Sequence, residues 1–183
     1  MIIGLTSSYS AGKDAVAEYL VKKGFKHISL SDLIREQMRQ AKVEITRENL
    51  IKFGNMLRTK FGHGVLSAIA IEKMKPGQNY VVSSIRHPAE IEELGMIVDF
   101  VLVAVDAPAE LRFKRALARN REKEPQTFDE FIARENQEKC GSGAGQQLHK
   151  CFERARIVIL NTGTIEELYR KVDRMLEDLR VNR

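Results

Sequence analysis

Short apolar runs alternate along the chain with segments whose apolar residues recur at helical spacing. The first run and the one that starts at Phe100 contain no alternation of apolar and polar positions, which is typical of strands buried on both faces. Strands are predicted at Ile2–Thr6, Phe25–Leu30, Tyr80–Ser83, Phe100–Val105 and Arg156–Leu160.

The segments between these runs predict helices. In chain order they cover 15–24, 31–41, two helices within 46–75 that separate near 62–64, 88–94, 108–121, and two that begin at the capping boxes Thr127-x-x-Glu130 and Thr164-x-x-Glu167. Strands that alternate with helices favour a parallel sheet with helices on both faces, an α/β fold. Ligands of such sheets bind beyond the carboxyl ends of the strands. We therefore expect Ser7–Asp14, Ser84–His87, Asp106 and Asn161–Thr164 to surround one crevice.

Composition narrows the function. The 183 residues, 43% hydrophobic and 30% charged, fit one domain and contain no apolar run long enough to span a bilayer. Two cysteines, Cys140 and Cys151, and four scattered histidines form neither a disulfide framework nor a zinc motif, so we expect a cytoplasmic protein. The net charge of +5 suits a polyphosphate pocket. Nucleic-acid binding is disfavoured because no basic stripe is interleaved with aromatic residues.

The turn after the first strand has the pattern of a phosphate-binding loop. A strand, small residues, Gly12-Lys13 and a helix predict that backbone N–H groups cradle phosphates while Lys13 reaches the terminal ones. The full pattern has Gly where Ser7 stands and Ser or Thr where Asp14 stands, and a carboxylate there can hold Mg²⁺. The alternative is an ordinary strand-to-helix turn. The predicted ATP-binding residues of the loop are Ser8, Ser10, Ala11, Gly12, Lys13, Asp14 and Ala15, with Lys13 catalytic and Asp14 on Mg²⁺.

These segments resemble P-loop nucleotide kinases over nearly the whole chain. Ile3-Gly4-Leu5-Thr6 with Gly12-Lys13 looks like the start of dephospho-CoA kinases, and Gly-Lys-Asp resembles the variant of phage deoxynucleoside monophosphate kinases and phosphomevalonate kinases. Ile28–Arg35 resembles the acceptor-nucleotide segment of adenylate-kinase-like enzymes, and Ile85–Glu90 the segment after the third strand of kinase-like domains. Val158–Leu168 matches their closing strand, loop and helix.

The resemblance implies a three-layer P-loop NTPase fold in a single domain, 1–183, with a five-stranded parallel sheet. It also implies a helical acceptor-binding insert over 31–75 and a lid over 119–126. ATP and Mg²⁺ are the implied cofactors. The implied site residues are Asn161 and Gly163 for ATP, Asp32, Arg35, Arg58 and Arg86 for the acceptor, and Arg119 and Arg121 for catalysis.

Several alternatives stay open. Arg112 and Arg115 belong either to the lid or to a solvated basic helix face, and Arg58 and Arg35 either bind the acceptor or pair with Glu36 or Glu48. His87 is interpreted as structural, and Ser83 stands where relatives often carry a metal-side Asp. The favoured function is phosphoryl transfer to a (deoxy)nucleoside monophosphate, with dephospho-CoA as the alternative acceptor and a nucleotide-binding regulatory module as the alternative class. A monomer or homodimer without membrane partners is expected.

Overall fold

The computed structural model describes residues 1–119, 125–139 and 142–181. Within them five strands form one parallel sheet in the order β2-β3-β1-β4-β5. The strands are β1 (Ile2–Ser7), β2 (Lys26–Ser29), β3 (Tyr80–Ser83), β4 (Phe100–Asp106) and β5 (Ile157–Leu160). β1 is central and pairs Ile2 with both Tyr80 and Phe100. The predicted five-stranded parallel sheet is thus confirmed.

Helices connect the strands and cover both faces of the sheet. They are α1 (Lys13–Lys22), α2 (Leu30–Gln40), α3 (Arg47–Phe61), α4 (Val65–Glu72), α5 (Pro88–Gly95), α6 (Ala109–Ala118), α7 (Phe128–Lys139), α8 (Leu148–Glu153) and α9 (Ile165–Val181). α2, α3 and α4 form the insert between β2 and β3. None of the helices in the described ranges has the length and apolar character that a membrane crossing requires.

Local hydrogen bonds explain where several helices begin. The Thr127–Glu130 and Thr164–Glu167 capping boxes both form, as their spacing predicts. The start of α2 was predicted at Ser31 and is instead at Leu30, because the Ser29 side chain accepts the Asp32 N–H. α6 ends at Ala118 rather than at Arg121, and α8 was not predicted.

Two apolar layers hold the sheet between the helices. On one face Ile3, Leu5 and Val103 pack against α1 and α9. On the other face Val82 and Leu102 pack against the insert helices, α5 and Cys151 of α8. Burial of each layer is the main source of stability in a fold of this kind. Because both layers are anchored on β1, β3 and β4, the carboxyl ends of these strands are fixed relative to each other, and the turn after β1 lies at their common edge.

Candidate active site

The turn between β1 and α1 has the backbone shape of a phosphate-binding loop. Ser10 and Gly12 adopt left-handed conformations, with φ of 60° and 102°, and the Ala11 N–H donates to the Ser8 carbonyl at 3.2 Å. α1 begins at Lys13, directly after Gly12. The Lys13 ammonium lies 2.5 Å from the Asp14 carboxylate, which is 61% exposed. The turn therefore presents the N-terminus of α1 and one lysine to the crevice.

Asn161, just after β5, supports this turn from behind. Its Nδ2 donates to the Ala11 carbonyl at 2.8 Å, and its own N–H donates to the Asp106 carbonyl at 2.7 Å. A Cβ added at Gly12 would collide with the same Nδ2 atom. Gly12 is thus required twice, by its positive φ and by the close approach of Asn161.

Arg115 of α6 completes this support. It donates from Nη1 to the Asn161 carbonyl at 3.0 Å and from Nη2 to Oδ1 at 3.4 Å. Burial, followed by the nearby charge of Arg119, lowers the pKa of its guanidinium. Arg115 therefore does not lie on a solvated basic face.

Arg112 is a buried structural residue. Its Nε donates to the Ala107 carbonyl at 2.7 Å and its Nη1 to the Tyr9 carbonyl at 3.3 Å, and both terminal nitrogens bind the Glu135 carboxylate. Only 4% of Arg112 is exposed. The solvated-face alternative is therefore wrong for Arg112, which joins α6, α7 and the back of the phosphate loop.

The loop after β5 continues beside Asn161. Glu167 accepts the Thr164 N–H, and a Cβ at Gly163 would overlap that carboxylate. Gly163 therefore permits the tight entry into α9.

A network of hydroxyl groups lies across the crevice, at the ends of β2 and β3. The Ser31 hydroxyl is 2.9 Å from that of Ser29 and 3.2 Å from that of Ser84, and it accepts from Arg35. Arg35 also donates to Asp32 at 2.6 Å. Ser84 has a φ of 67°, a conformation that a non-glycine residue adopts at an energetic cost and that is often associated with sites.

His27 belongs to the same edge and is absent from the sequence predictions. Its Nε2 lies 2.8 Å from the Ser83 hydroxyl. Partial burial, followed by the positive charge of Lys13, lowers the pKa of the imidazole. The parallel register of β2 and β3 brings these residues together. Ser83 was noted only because relatives often carry Asp there, and no motif indicated His27.

Arg58 is buried in an ion pair with Glu90. Its Nε and Nη2 donate to one carboxylate oxygen at 3.0 and 2.8 Å, and the two side chains are 3% and 0% exposed. The alternative in which Arg58 pairs with Glu36 or Glu48 is wrong, because Arg58 pairs with Glu90, while Glu36 and Glu48 lie beside Lys73 and Lys52. Arg58 therefore fastens α3 to α5.

The other Glu90 oxygen holds the segment that follows β3. It accepts the N–H groups of Arg86 and His87 at 2.8 and 3.1 Å. The Arg86 guanidinium is half-buried and donates to Gln146 at 2.8 Å. Arg86 thus lies at the edge of the crevice, as its position directly after β3 predicts.

His87 caps α5 through Nδ1, which accepts the Ala89 N–H, and its Nε2 lies 2.9 Å from the Gly143 carbonyl. This arrangement requires a neutral imidazole with its proton on Nε2. Burial lowers the pKa of His87. The structural interpretation of His87 agrees with this geometry.

Of the predicted lid over 119–126, the structure describes only Arg119, Pro125 and Gln126. Arg119 is exposed at the C-terminal end of α6, close enough to Arg115 to lower its pKa. Arg121 lies outside the described residues, as does most of the segment 119–126.

The donor set fits Mg²⁺ held mainly by substrate phosphates. Within the described ranges, no three His, Cys, Asp or Glu side chains converge into a metal cage. Asp14 offers an exposed carboxylate, and the Ser10 hydroxyl is buried without a hydrogen-bond partner in the described part of the chain. Mg²⁺ is commonly bound by one or two carboxylates together with water and phosphate oxygens.

No family model matches the chain. Two of its relatives are UPF0200 proteins, one from Sulfurisphaera tokodaii and one from Pyrococcus horikoshii. The first is 30% identical over 176 residues, which cover 96% of each chain. The second is 30% identical over 189 residues, which cover 100% of this chain and 99% of the relative.

Solved structures share the fold. TT1252 from Thermus thermophilus aligns with a TM-score of 0.66 at 23% identity, over 98% of this chain and 97% of its own. A shikimate kinase from Bacteroides thetaiotaomicron gives 0.63 at 17% identity, over 97% and 98%. A dephospho-CoA kinase from Campylobacter jejuni gives 0.54 at 15% identity, over 97% and 96%. The chain belongs to the UPF0200 family, and its fold is that of the P-loop kinases.

Proposed function

We propose that this protein is an ATP-dependent phosphotransferase whose acceptor is a small phosphate-bearing molecule, most simply a (deoxy)nucleoside monophosphate. The observation that carries the proposal is the Asn161–Ala11 hydrogen bond, which holds the turn before Lys13 in a shape that leaves its other face to a ligand. Phosphoryl transfer depends on positioning and on stabilising the charge of the transferred group, which such a turn supplies.

On the donor side, ATP binds along the loop and the start of α1. Backbone N–H groups of Ser8 to Ala15 contact the phosphates, except that of Ala11, which donates to Ser8. Lys13 leaves Asp14 to bridge the terminal phosphates. The Ser10 hydroxyl is available to a phosphate oxygen because it has no other partner in the described residues. Asn161 and Gly163 shape the adjacent wall. Mg²⁺, when bound, neutralises phosphate charge beside Asp14.

On the acceptor side, Arg35 and Arg86 bind the acceptor phosphate. Arg35 extends from α2 in the insert, and Arg86 follows β3, so the two approach from different elements. Asp32 orients Arg35, and Arg58 acts on the site through Glu90 and the Arg86 N–H. Arginine suits this task because its planar fork binds two phosphate oxygens.

Closure would bring the arginines of the 119–126 segment over both substrates and exclude water. Arg119 and Arg121 then stabilise the transferred phosphoryl group. Replacing Arg119 by Ala is expected to lower kcat more than it raises KM, because such contacts exist mainly in the transition state.

A dephospho-CoA-type acceptor is the second candidate. It presents a hydroxyl rather than a phosphate to the donor, and the exposed Asp32 carboxylate together with the Ser29, Ser31 and Ser84 hydroxyls favours such an acceptor. A regulatory module with little turnover is the third, since Asp14 holds Lys13 in an ion pair.

The deciding experiment is phosphoryl transfer from γ-labelled ATP and Mg²⁺ to a panel of nucleoside monophosphates and dephospho-CoA. Lys13→Ala is the matched inactive variant, and Lys26→Ala, an exposed lysine of β2, is its control. Transfer to monophosphates that disappears only in Lys13→Ala supports the proposal, and transfer to dephospho-CoA alone identifies the second candidate. ATP binding without transfer to any acceptor would favour the third candidate, a nucleotide-binding regulatory module.

A further inference from the structure

The loop that precedes α8 is fastened to the residues that follow β3. The Gln147 N–H donates to the Arg86 carbonyl at 2.8 Å. The Gly143 carbonyl accepts from His87 Nε2 and from Gln147 Nε2, both at 2.9 Å. Residues 142–147, which we call the 142–147 loop, therefore have a fixed position beside Arg86, at the edge of the crevice.

Gln146 is the residue of this loop whose side chain meets Arg86. Its Oε1 accepts from Arg86 Nη1 at 2.8 Å. This contact fixes the orientation of the amide, because a guanidinium has only donors and the amide must turn its oxygen towards it. The Nε2 group therefore lies on the other edge of the amide, where it has no hydrogen-bond partner in the described part of the chain. Gln146 thus carries two N–H donors that the fold does not use.

The adjacent glutamine has a different, structural role. Gln147 is buried, and its amide and backbone hold the loop in place. The Gln146 side chain is half-buried instead, and the Arg86 guanidinium places a permanent positive charge beside it. Amide donors next to a fixed positive charge suit an oxyanion, because hydrogen bonds to charged oxygens are roughly twice as strong as those to neutral ones.

We propose that Gln146 binds a phosphate oxygen of the acceptor through Nε2, with Arg86 holding its amide in the binding orientation. This inference rests on the proposed function and adds to it a phosphate-binding residue from the 142–147 loop, which no sequence motif indicated. A neutral amide suits this position because it accepts from Arg86 with one atom and donates with the other. A carboxylate at the same place would still accept from Arg86 but would repel the phosphate.

The experiment uses titration calorimetry with AMP, CMP, GMP and UMP on protein saturated with a non-hydrolysable ATP analogue and Mg²⁺. Wild type is compared with Gln146→Leu, which removes the donors, and with Gln146→Glu, which keeps an oxygen for Arg86. The monophosphate that wild type binds most tightly is expected to bind about tenfold more weakly to Gln146→Leu and weaker still to Gln146→Glu. The affinity for the ATP analogue, measured separately, is expected to stay within about twofold.

Gln78→Glu is the matched control. Gln78 is an exposed glutamine whose Oε1 also accepts a hydrogen bond, from the Tyr80 hydroxyl at 3.2 Å, at the opposite end of β3. The substitution introduces the same negative charge far from the carboxyl ends of the strands. The affinities of Gln78→Glu for the monophosphates and for the ATP analogue are therefore expected to equal those of wild type.

The two Gln146 variants separate a phosphate contact from a purely structural role. If Gln146 only anchored Arg86, Gln146→Glu would bind the monophosphates as tightly as wild type, because a carboxylate accepts from a guanidinium at least as well as an amide does. That result overturns the inference. Tighter binding by Gln146→Leu also overturns it, since the amide would then occupy the place of the phosphate, and so does an equal weakening of the ATP analogue.

Failure of the proposed function is visible in wild type alone. If wild type binds the ATP analogue but none of the four monophosphates, the proposed acceptor is wrong and the role of Gln146 falls with it. If wild type binds a monophosphate and the Gln146 variants bind it equally well, only the inference about Gln146 is wrong.

Discussion

The Asn161 side-chain amide donates a 2.8 Å hydrogen bond to the carbonyl of Ala11, so the residue after the last strand fixes the turn after the first. Both atoms are buried, and the two residues lie 150 positions apart in the chain. Because Arg115 binds the same asparagine, α6, β5 and the phosphate loop form one rigid unit.

Asn161→Asp is expected to damage this unit selectively. The retained Oδ1 still accepts from Arg115, but the new oxygen in the place of Nδ2 repels the Ala11 carbonyl. That carbonyl then stays buried without this donor, at a cost of about 1–3 kcal/mol. Nucleotide affinity, measured by titration calorimetry, should fall about tenfold or more. Asn49→Asp is the control, because it removes a similar amide-to-carbonyl bond, 3.0 Å to Glu44, at an exposed position. Equal effects of the two substitutions would contradict a specific role for Asn161.

Gly12→Ala is expected to destabilise the protein in two ways, through backbone strain and through a steric clash. Ala strains the left-handed backbone and places a methyl group against Asn161 Nδ2. Gly24 has a similar φ of 95° and open space around its Cβ position, so Gly24→Ala reports the strain alone, about 1–2 kcal/mol. Gly12→Ala should destabilise the protein by clearly more in urea unfolding and abolish nucleotide binding. A loss of stability equal to that of Gly24→Ala would show that the Asn161 side chain moves away from the added methyl group without further cost.

The Arg58–Glu90 pair predicts a strongly non-additive double-mutant cycle. Arg58→Met leaves a fully buried carboxylate without its cation and should cost about 3–5 kcal/mol of unfolding free energy. Adding Glu90→Gln should restore most of it, because the amide is neutral and its oxygen still accepts the Arg86 N–H. Arg154→Met is the exposed control, since its pair with Glu92 is 45% and 60% exposed and should contribute less than about 1 kcal/mol. Additive costs in the Arg58–Glu90 cycle would argue that the two residues act separately.

His87 predicts a loss of stability at mildly acid pH. Burial lowers the pKa of the native imidazole below its unfolded value near 6.5, so below about pH 6.5 the unfolded chain takes up a proton that the native protein does not. The free energy of unfolding should therefore fall as the pH decreases from that value towards the native pKa. His27, whose pKa is lowered too, contributes in the same direction. Urea unfolding at several pH values should show a shallower decline for His87→Asn, which retains a capping side chain but does not titrate.

Substitutions of Asp14 test whether its carboxylate lies beside Mg²⁺. If its carboxylate takes the place of the usual hydroxyl, Asp14→Asn should weaken the Mg²⁺ dependence of transfer and lower turnover about 10–100-fold. Asp14→Ser should restore part of the activity. Glu18→Gln, one turn further along α1, is the control for removing a negative charge from this helix. An enzyme equally active with and without the Asp14 carboxylate would reduce it to a charge at the start of α1.

The fold was predictable because its evidence is local. Five apolar runs, the capping boxes at Thr127 and Thr164 and the Gly12-Lys13 turn each occupy a few adjacent residues, and all agree with a parallel α/β sheet. The short helix α8 was missed because it spans only the six residues Leu148–Glu153 and begins without a side-chain capping bond, although Leu148, Cys151 and Phe152 recur at helical spacing.

The polar contacts of the site were much less predictable. Arg58 with Glu90 and Arg112 with Glu135 join residues that only the tertiary structure brings together, and the sequence offered nearer acidic residues as partners. His27 and Ser83 meet through strand register, which sequence patterns do not specify for two strands of four residues each. Residues at strand ends, such as Arg86 and Asn161, were found because topology alone assigns them to one edge.

The central position of β1 has a consequence for how the chain folds as it is synthesised. The two neighbours of β1 start at Tyr80 and Phe100, 78 and 98 residues after Ile2, so neither edge of β1 can be paired until β3 has been translated. During that interval its apolar side chains have no sheet to enter. The strand that carries the phosphate loop is therefore unpaired while α1, β2 and the insert are made, and unpaired strand edges of incomplete chains are prone to aggregation.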